Sequence, residues 1–111
     1  MVTIRYNPCK GESPLELECK GHALYGQPGE DILCSALSIL MHTAAKTVEQ
    51  MEEKGWLSGE STITLSPGQG YLAFLPKSHY AQEVLLQLEP ILLGFSLLSN
   101  YYPNYVKCQR A

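Results

Sequence analysis

The sequence has no dense run of basic residues. It carries 8 lysines and arginines against 11 aspartates and glutamates, a formal net charge of -3 at pH 7 in a chain of 111 residues. Proteins that follow a phosphate backbone need clusters of positive charge on one face. The composition therefore argues against direct binding to nucleic acid.

The sequence pattern also lacks a secretory leader and a clear membrane span. Residues 1–6 alternate like a strand, and no apolar stretch follows them before Pro8 and Gly11. The longest apolar region, residues 84–98, is interrupted by polar residues and Pro90, and is shorter than the ~20 apolar residues that a bilayer span needs. We therefore expect a cytoplasmic protein without a membrane partner, in which this region forms a buried helix.

The cysteines include no Cys-x-x-Cys pair, although there are four of them: Cys9, Cys19, Cys34 and Cys108. Thiols stay reduced in the cytosol, and a chain of this length can build a core without disulfides. Four free thiols are the expectation. Only the loose Cys19-x-x-His22 spacing is compatible with a pair of zinc ligands, so no metal site or cofactor is predicted.

Hydrophobic periodicity predicts seven elements in one domain, residues 1–111. Alternating strands at 2–6 and 15–19 form a hairpin, and a helix runs from Asp31 to about Lys54, where Gly55 stops it. A second hairpin follows, with strands 61–66 and 71–75 around a turn. A second helix covers 78–101, where Pro90 is expected to kink or divide it, and a short strand follows near 105–108.

This order, ββαββαβ, favours a single two-layer α+β domain with a mostly antiparallel sheet. On the second helix, five apolar residues have the spacing of a core face: Val84, Leu88, Ile91, Phe95 and Leu98. Both helices carry further apolar residues on other faces, and so small a domain cannot cover them all. We therefore expect a homodimer.

Cys34 is the candidate nucleophile. It falls in the first turn of the predicted helix, where free N–H groups and the positive end of the helix dipole stabilise a thiolate. The alternative is a small buried side chain without chemistry, which is what most free cysteines are. Position alone leaves both interpretations open.

A cysteine nucleophile needs a base, and the chain offers His22, His42 and His79. His42 lies eight residues further along the same helix, ~12 Å along its axis, and is excluded as a direct partner of Cys34. The sequence does not place His79. His22 ends a strand and is joined to the helix by a glycine-rich loop, so it can lie beside Cys34 or can be a surface histidine.

Two polar residues share a helix stripe with Cys34. Asp31 lies at i−3 and Ser38 at i+4. Asp31 either orients His22 or caps the helix. Ser38 either supports the site or bonds its own backbone.

The segment between the strand and the helix is rich in glycine. Gly21, Gly26 and Gly29 either permit a turn or let a loop close over an extended peptide, with Tyr25 in that loop as a further candidate contact for substrate. Residues 66–70 superficially suggest a phosphate loop, but no Walker lysine and no helix follow, so they are predicted to form a hairpin turn.

Two stretches of the chain form an extended pattern. The first is Gly21-His22-Ala23, a short glycine-containing loop, and the run Gly29-Glu30-Asp31-Ile32-Leu33-Cys34-Ser35-Ala36-Leu37-Ser38. The second is the ending, from Gly94 through Tyr102-Pro103-Asn104-Tyr105-Val106. Together they resemble the ribosomal-processing cysteine protease family (Prp). The likeness spans nearly the whole chain.

This resemblance implies a homodimeric endopeptidase that removes a short N-terminal extension from large-subunit ribosomal protein twenty-seven, cutting after an aromatic residue and before a small one. It implies that His22 and Cys34 are the catalytic pair, with Asp31 and Ser38 as accessory residues. The chain has leucine, serine and leucine at positions 33, 35 and 37, where the family has mostly valine, alanine and valine. These changes bear on substrate fit more than on chemistry.

The mechanism expected for such a pair is removal of the Cys34 proton by His22, followed by attack of the thiolate on the scissile carbonyl. Backbone N–H groups at the helix start are candidate donors to the oxyanion. One alternative is a non-catalytic module that binds a ribosomal protein or its peptide, with Cys34 structural. Another is a thiol redox sensor, which requires a nearby resolving cysteine.

Overall fold

Five strands and two helices make up the regular structure of residues 1–22 and 31–110, which are the residues that the computed structural model describes. A 3₁₀ turn, Ser78–Tyr80, precedes the second helix. The elements are β1 (Val2–Asn7), β2 (Leu15–Gly21), α1 (Ile32–Glu53), β3 (Thr62–Ser66), β4 (Gln69–Phe74), α2 (Ala81–Tyr101) and β5 (Val106–Arg110). The predicted α+β class and element order are confirmed.

The strands form one sheet in the order β3-β4-β2-β1-β5. β1 pairs with β2, β2 with β4 and β4 with β3, all antiparallel, whereas β1 and β5 are parallel. The register between β2 and β4 sets Cys19 opposite Gly70 and Lys20 opposite Gln69. As a result, the residue that follows β2, His22, lies next to the turn that joins β3 and β4.

That turn has two residues, Pro67 and Gly68. Tight hairpins of this length need at least one residue with positive φ, and Gly68 supplies it with a φ of +75°. The predicted hairpin is confirmed, but its turn is shorter than expected, because Gln69 and Gly70 already belong to β4.

Both predicted ends of α1 are confirmed. Asp31 is the N-cap, and its Oδ1 accepts hydrogen bonds from the backbone nitrogens of Leu33 and Cys34, each at 3.0 Å. Lys54 is the C-cap, and Gly55 leaves the helix with a φ of +75°. These contacts fix Cys34 in the first turn.

The core lies between the helices and the face of the sheet that carries Val2, Ile4 and Leu17. Four of the five core residues predicted on α2 are buried, and the fifth, Leu98, is partly buried against them. Among residues 1–22 and 31–110, Phe95 is the largest side chain that is fully buried.

α2 continues through Pro90 without interruption, so of the two outcomes predicted there, division of the helix is excluded. Together with the 3₁₀ turn it spans 24 residues, which by length and composition is enough to cross a membrane. The sequence-based estimate, which counted only residues 84–98, was too short. Helices that pack into a protein core pass the same test, and α2 packs one face into this core.

Large apolar side chains remain exposed on both helices. On α1 these are Ile32 and Ile39, seven residues apart. On α2 they include an apolar stripe, which we define as Leu86, Leu93, Leu97 and Tyr101.

Candidate active site

A cavity of about 500 Å³ opens between three parts of the chain. These are the end of β2 with the residue after it, the first three turns of α1, and the β3–β4 hairpin. Its lining includes Cys19, His22, Cys34, Leu37, Ser38, Met41, His42, Leu65, Gly68 and Gln69. Cys34 and His22, predicted as a pair from the sequence, thus line the same cavity.

Cys34 is half-buried in the cavity wall. Its backbone N–H is already bonded to Asp31, as is that of Leu33, and the N–H of Ser35 donates to the Asp31 carbonyl at 3.1 Å. These three amides of the helix start already have acceptors in Asp31, so an oxyanion would have to compete with Asp31 for them. The buried Asp31 side chain serves as the helix cap, one of its two predicted roles.

His22 is exposed and lies directly after β2. Its carbonyl oxygen accepts a hydrogen bond from the backbone nitrogen of Met1 at 2.9 Å. The preceding residue, Gly21, donates its N–H to the carbonyl of Gly68 at 2.9 Å. Gly21 has a φ of +110°, and a Cβ there would collide with the Met1 carbonyl oxygen, so only glycine fits this approach to His22.

No hydrogen bond joins the side chains of His22 and Cys34 within residues 1–22 and 31–110. Catalytic hydrogen bonds are often long in a free enzyme and shorten when substrate binds. The shared cavity keeps the pair as candidates for such a contact.

Ser38 and His42 face the same cavity one helical turn apart. His42 Nδ1 lies 2.8 Å from the Ser38 carbonyl oxygen, and the Ser38 hydroxyl lies 3.4 Å from that nitrogen. Since a carbonyl only accepts, Nδ1 carries the proton in this bond. The Ser38 hydroxyl therefore neighbours His42, and in the described part of the chain it has no hydrogen bond to Cys34.

The remaining predictions concern His79, three residues of the glycine-rich loop, and the state of the four cysteines. His79 packs edge-on against Tyr80, with ring centroids 4.9 Å apart, and does not line the cavity. The candidate loop residues Tyr25, Gly26 and Gly29 lie outside the described residues. All four cysteines are free, as expected.

Sequence reasoning missed several members of the site. It treated residues 66–70 as a turn only, and gave no role to Cys19, Met41 or His42, all of which line the cavity. Burial raises the pKa of the Cys19 thiol to about 11, and the nearby Cys34 adds to the rise. The pairing of β2 with β4, which the sequence pattern does not reveal, sets the turn beside His22.

Comparison with known families decides the class of the protein. The sequence model of the family described as cysteine protease Prp matches residues 1–107. The chain belongs to the cysteine protease Prp family. It is therefore a cysteine protease, and the resemblance noted in the sequence is confirmed.

Solved structures share the fold of this Prp family member over its whole length. The ribosomal processing protease Prp from S. aureus, in complex with a covalently linked product peptide, has a TM-score of 0.69, 20% identity and 100% coverage of both chains. SMU.848 from Streptococcus mutans has a TM-score of 0.66 and 26% identity, covering 99% of this chain and 93% of its own. Among curated proteins, no relative matches.

Three residues beside Cys34 that differ from the expected family pattern, at positions 33, 35 and 37, have different environments. Leu33 and Leu37 are buried, and Leu37 also lines the cavity, whereas Ser35 is exposed. Of the three side chains, Leu37 is the one that forms part of the cavity wall. Only this departure bears directly on the shape of the site.

We expect alkylation to distinguish the two cysteines of the cavity. A thiol with a pKa of about 11 is ionised in only about 10⁻⁴ of molecules at pH 7, and the thiolate is the species that reacts. Iodoacetamide at neutral pH is therefore expected to modify Cys34 before Cys19, as read by peptide mass spectrometry. Modification of Cys19 first would contradict this order.

Replacing Asp31 by alanine is expected to destabilise the fold by about 0.5–2 kcal/mol, because the amides of Leu33 and Cys34 lose their acceptor. Urea unfolding measures the effect. Asp31→Asn keeps a capping oxygen and is the matched control, with stability close to wild type. Equal stability of the alanine variant and wild type would mean that the cap contributes nothing.

Proposed function

We propose that this protease uses His22 and Cys34 to remove the N-terminal extension of large-subunit ribosomal protein twenty-seven. The observation that supports the pair is their position on the wall of one cavity, next to a mainly apolar surface formed by Leu37, Met41 and Leu65. A cavity of about 500 Å³ is within the range that binds small ligands. It is large enough for the aromatic side chain that precedes the proposed cut.

In the proposed mechanism, an imidazole nitrogen of His22 takes the thiol proton of Cys34, and the thiolate attacks the scissile carbonyl. The resulting imidazolium gives its proton to the leaving amine as the C–N bond breaks. Water, deprotonated by the same imidazole, then attacks the thioester and releases the new carboxyl terminus. The proton returns to the Cys34 sulfur, so both residues end unchanged.

An oxyanion at the amides of Leu33, Cys34 and Ser35 would have to compete with Asp31, which already accepts from them. Gln69 belongs to the hairpin side of the cavity, and its side-chain amide has two N–H groups. We propose this amide as a donor to the oxyanion. The role agrees with the use of side-chain amides in other acyl-transfer enzymes.

The choice of substrate is supported by the related S. aureus enzyme. It is described as a ribosomal processing protease, and one of its structures contains a substrate peptide, with a TM-score of 0.64, 19% identity and full coverage of both chains. Extending this function to the present chain leads to a ribosomal protein extension as substrate and to action in the cytoplasm. The net charge of -3 supports recognition of the peptide without direct contact to nucleic acid.

The proposed function is tested by incubating the purified protein with the host's ribosomal protein twenty-seven and measuring product masses. We expect loss of a short N-terminal peptide, with a cut between an aromatic and a small residue. Protein pretreated with iodoacetamide should leave the substrate intact. Binding without cleavage by the untreated protein would replace this proposal with a binding module.

We also propose that residues 1–111 form a single domain that pairs with a second copy through the apolar stripe of α2. Leu86, Leu93 and Leu97 are spaced by seven and four residues and point the same way from the helix. Leu86 and Leu93 are 66% and 59% exposed, and Tyr101 is 74% exposed. Around a two-fold axis, the apolar stripe of one copy can pack against the same stripe of the other copy, as in paired helices.

A charge in the middle of the apolar stripe is expected to separate the two copies of the dimer. Leu93→Glu sets two carboxylates against each other across a two-fold axis and removes apolar contact. Analytical ultracentrifugation should then give half the mass of the wild type. Gln87→Glu, on an exposed position beside the stripe, is the control and should leave the mass unchanged. A monomeric wild type would rule out the dimer.

A further inference from the structure

We infer that Gly68, in the β3–β4 turn, is a positioning residue that holds the imidazole of His22, an inference that rests on the proposed role of His22 as the catalytic base. The turn comes 46 residues after His22 in the sequence and carries no ionisable group of its own. Its contribution is the shape of its backbone.

The first observation is the closeness of the ring to the Gly68 backbone. A Cβ built on Gly68 would lie 2.5 Å from His22 Nε2 and 2.8 Å from Cε1, with Cδ2 at 3.4 Å. The imidazole therefore occupies the space that any other residue's Cβ would need. The ring atoms nearest to this position are Nε2 and Cε1.

The second observation concerns the backbone around His22. Gly21 donates its N–H to the carbonyl of Gly68, so the same turn residue that contacts the ring also bonds the residue before it. The carbonyl of His22 is bonded in turn by Met1. Gly68 thus lies against the ring of His22 and also bonds the residue before it, while Met1 bonds the His22 carbonyl.

The third observation shows that the backbone angle alone does not explain the glycine at position 68. Gly55 and Gly59 have φ values of +75° and +80°, like Gly68 at +75°, yet a Cβ on either would meet nothing within 4 Å. At those two positions, glycine is explained by the backbone angle alone. At Gly68 the side chain of His22 adds a second requirement.

An alanine at position 68 is therefore expected to displace the ring by roughly 1 Å, the amount needed to restore an ordinary contact distance. A misplacement of about 1 Å in a reacting group can lower a rate by about 10²-fold. The effect should fall on kcat, with KM nearly unchanged, because the ring acts on the thiol and on the leaving amine after the peptide is bound.

The test compares Gly68→Ala with Gly59→Ala, which carries the same backbone penalty without the contact. Both variants are assayed for kcat and KM on the extended ribosomal protein, with thermal unfolding followed for each. We expect similar stability losses, and a kcat about 10²-fold lower for Gly68→Ala alone. Equal kcat in the two variants would overturn the inference.

A second pair of variants keeps the inference testable if Gly68→Ala does not fold. Asparagine tolerates positive φ better than other non-glycine residues, so Gly68→Asn and Gly59→Asn keep the turns with little strain. We expect the His22 ring resonances in NMR spectra to shift in Gly68→Asn and to stay in place in Gly59→Asn. We also expect kcat to fall in Gly68→Asn alone. Unmoved resonances would overturn the inference.

The outcomes also distinguish this inference from the function on which it rests. Loss of cleavage in His22→Ala, with Gly68 variants as active as their Gly59 controls, retains the proposed base and rejects the positioning role. Full cleavage by His22→Ala rejects both the proposed base and the positioning role of Gly68, because the position of the ring then has no effect on the reaction.

Discussion

Replacement of Cys34 with alanine is expected to reduce cleavage of the extended ribosomal protein to below about one thousandth of the wild-type rate, because no thiolate remains to form the acyl-enzyme. The change removes a single sulfur from a half-buried position in the first turn of α1, so the fold should persist. Product masses over a time course measure the loss.

Cys108→Ala is the matched control for this experiment. Cys108 is a free, partly buried thiol on β5 and does not line the active-site cavity. Its replacement should leave the cleavage rate within about twofold of wild type, since it removes one sulfur at a position outside the cavity. Residual cleavage by Cys34→Ala at the wild-type rate would show that another residue is the nucleophile.

Removal of the His22 imidazole is expected to lower kcat by about 10²- to 10⁴-fold, the range typical of a general base. His22→Ala should also slow the alkylation of Cys34, because the thiol loses the base that takes its proton. His79→Ala, whose ring packs on Tyr80 away from the cavity, is the control and should match wild type in both assays.

The double variant offers a further check on the pair. If His22 acts only through Cys34, then adding His22→Ala to Cys34→Ala produces no additional loss, as for catalytic residues that work as a unit. A further loss in the double variant would indicate that His22 binds substrate independently of the thiol.

The outline of the fold followed from local signals. Asp31 and Gly55 fixed the limits of α1, and the strand periodicity with its turn residues located both hairpins. Pro90 was harder to interpret, because the cost of its missing N–H and its ring depends on tertiary packing. Leu88 and Ile91, on either side of it, are both buried in the core, and this packing holds the two halves of α2 in one helix.

The candidate site was predicted only where its members are close in sequence or share the family pattern. The part formed by Gly68 and Gln69 depends on the pairing of β2 with β4, two strands separated by α1 and β3, and local periodicity carries no information on such pairing. His42 illustrates a related limit. Its axial distance from Cys34 argued against direct contact, yet a cavity of about 500 Å³ extends along α1 far enough to include both.

The parallel pairing of β1 with β5 has a consequence for the order of events during synthesis. Val2 lines the active-site cavity, and its partner Val106 leaves the ribosome roughly a hundred residues later. Closing so long a loop is slow relative to forming a hairpin, and β1 has an open edge until it closes. A nascent chain therefore carries β1 and β2 as a hairpin well before β5 can pair with β1, so this side of the sheet is completed only after residue 106 has emerged.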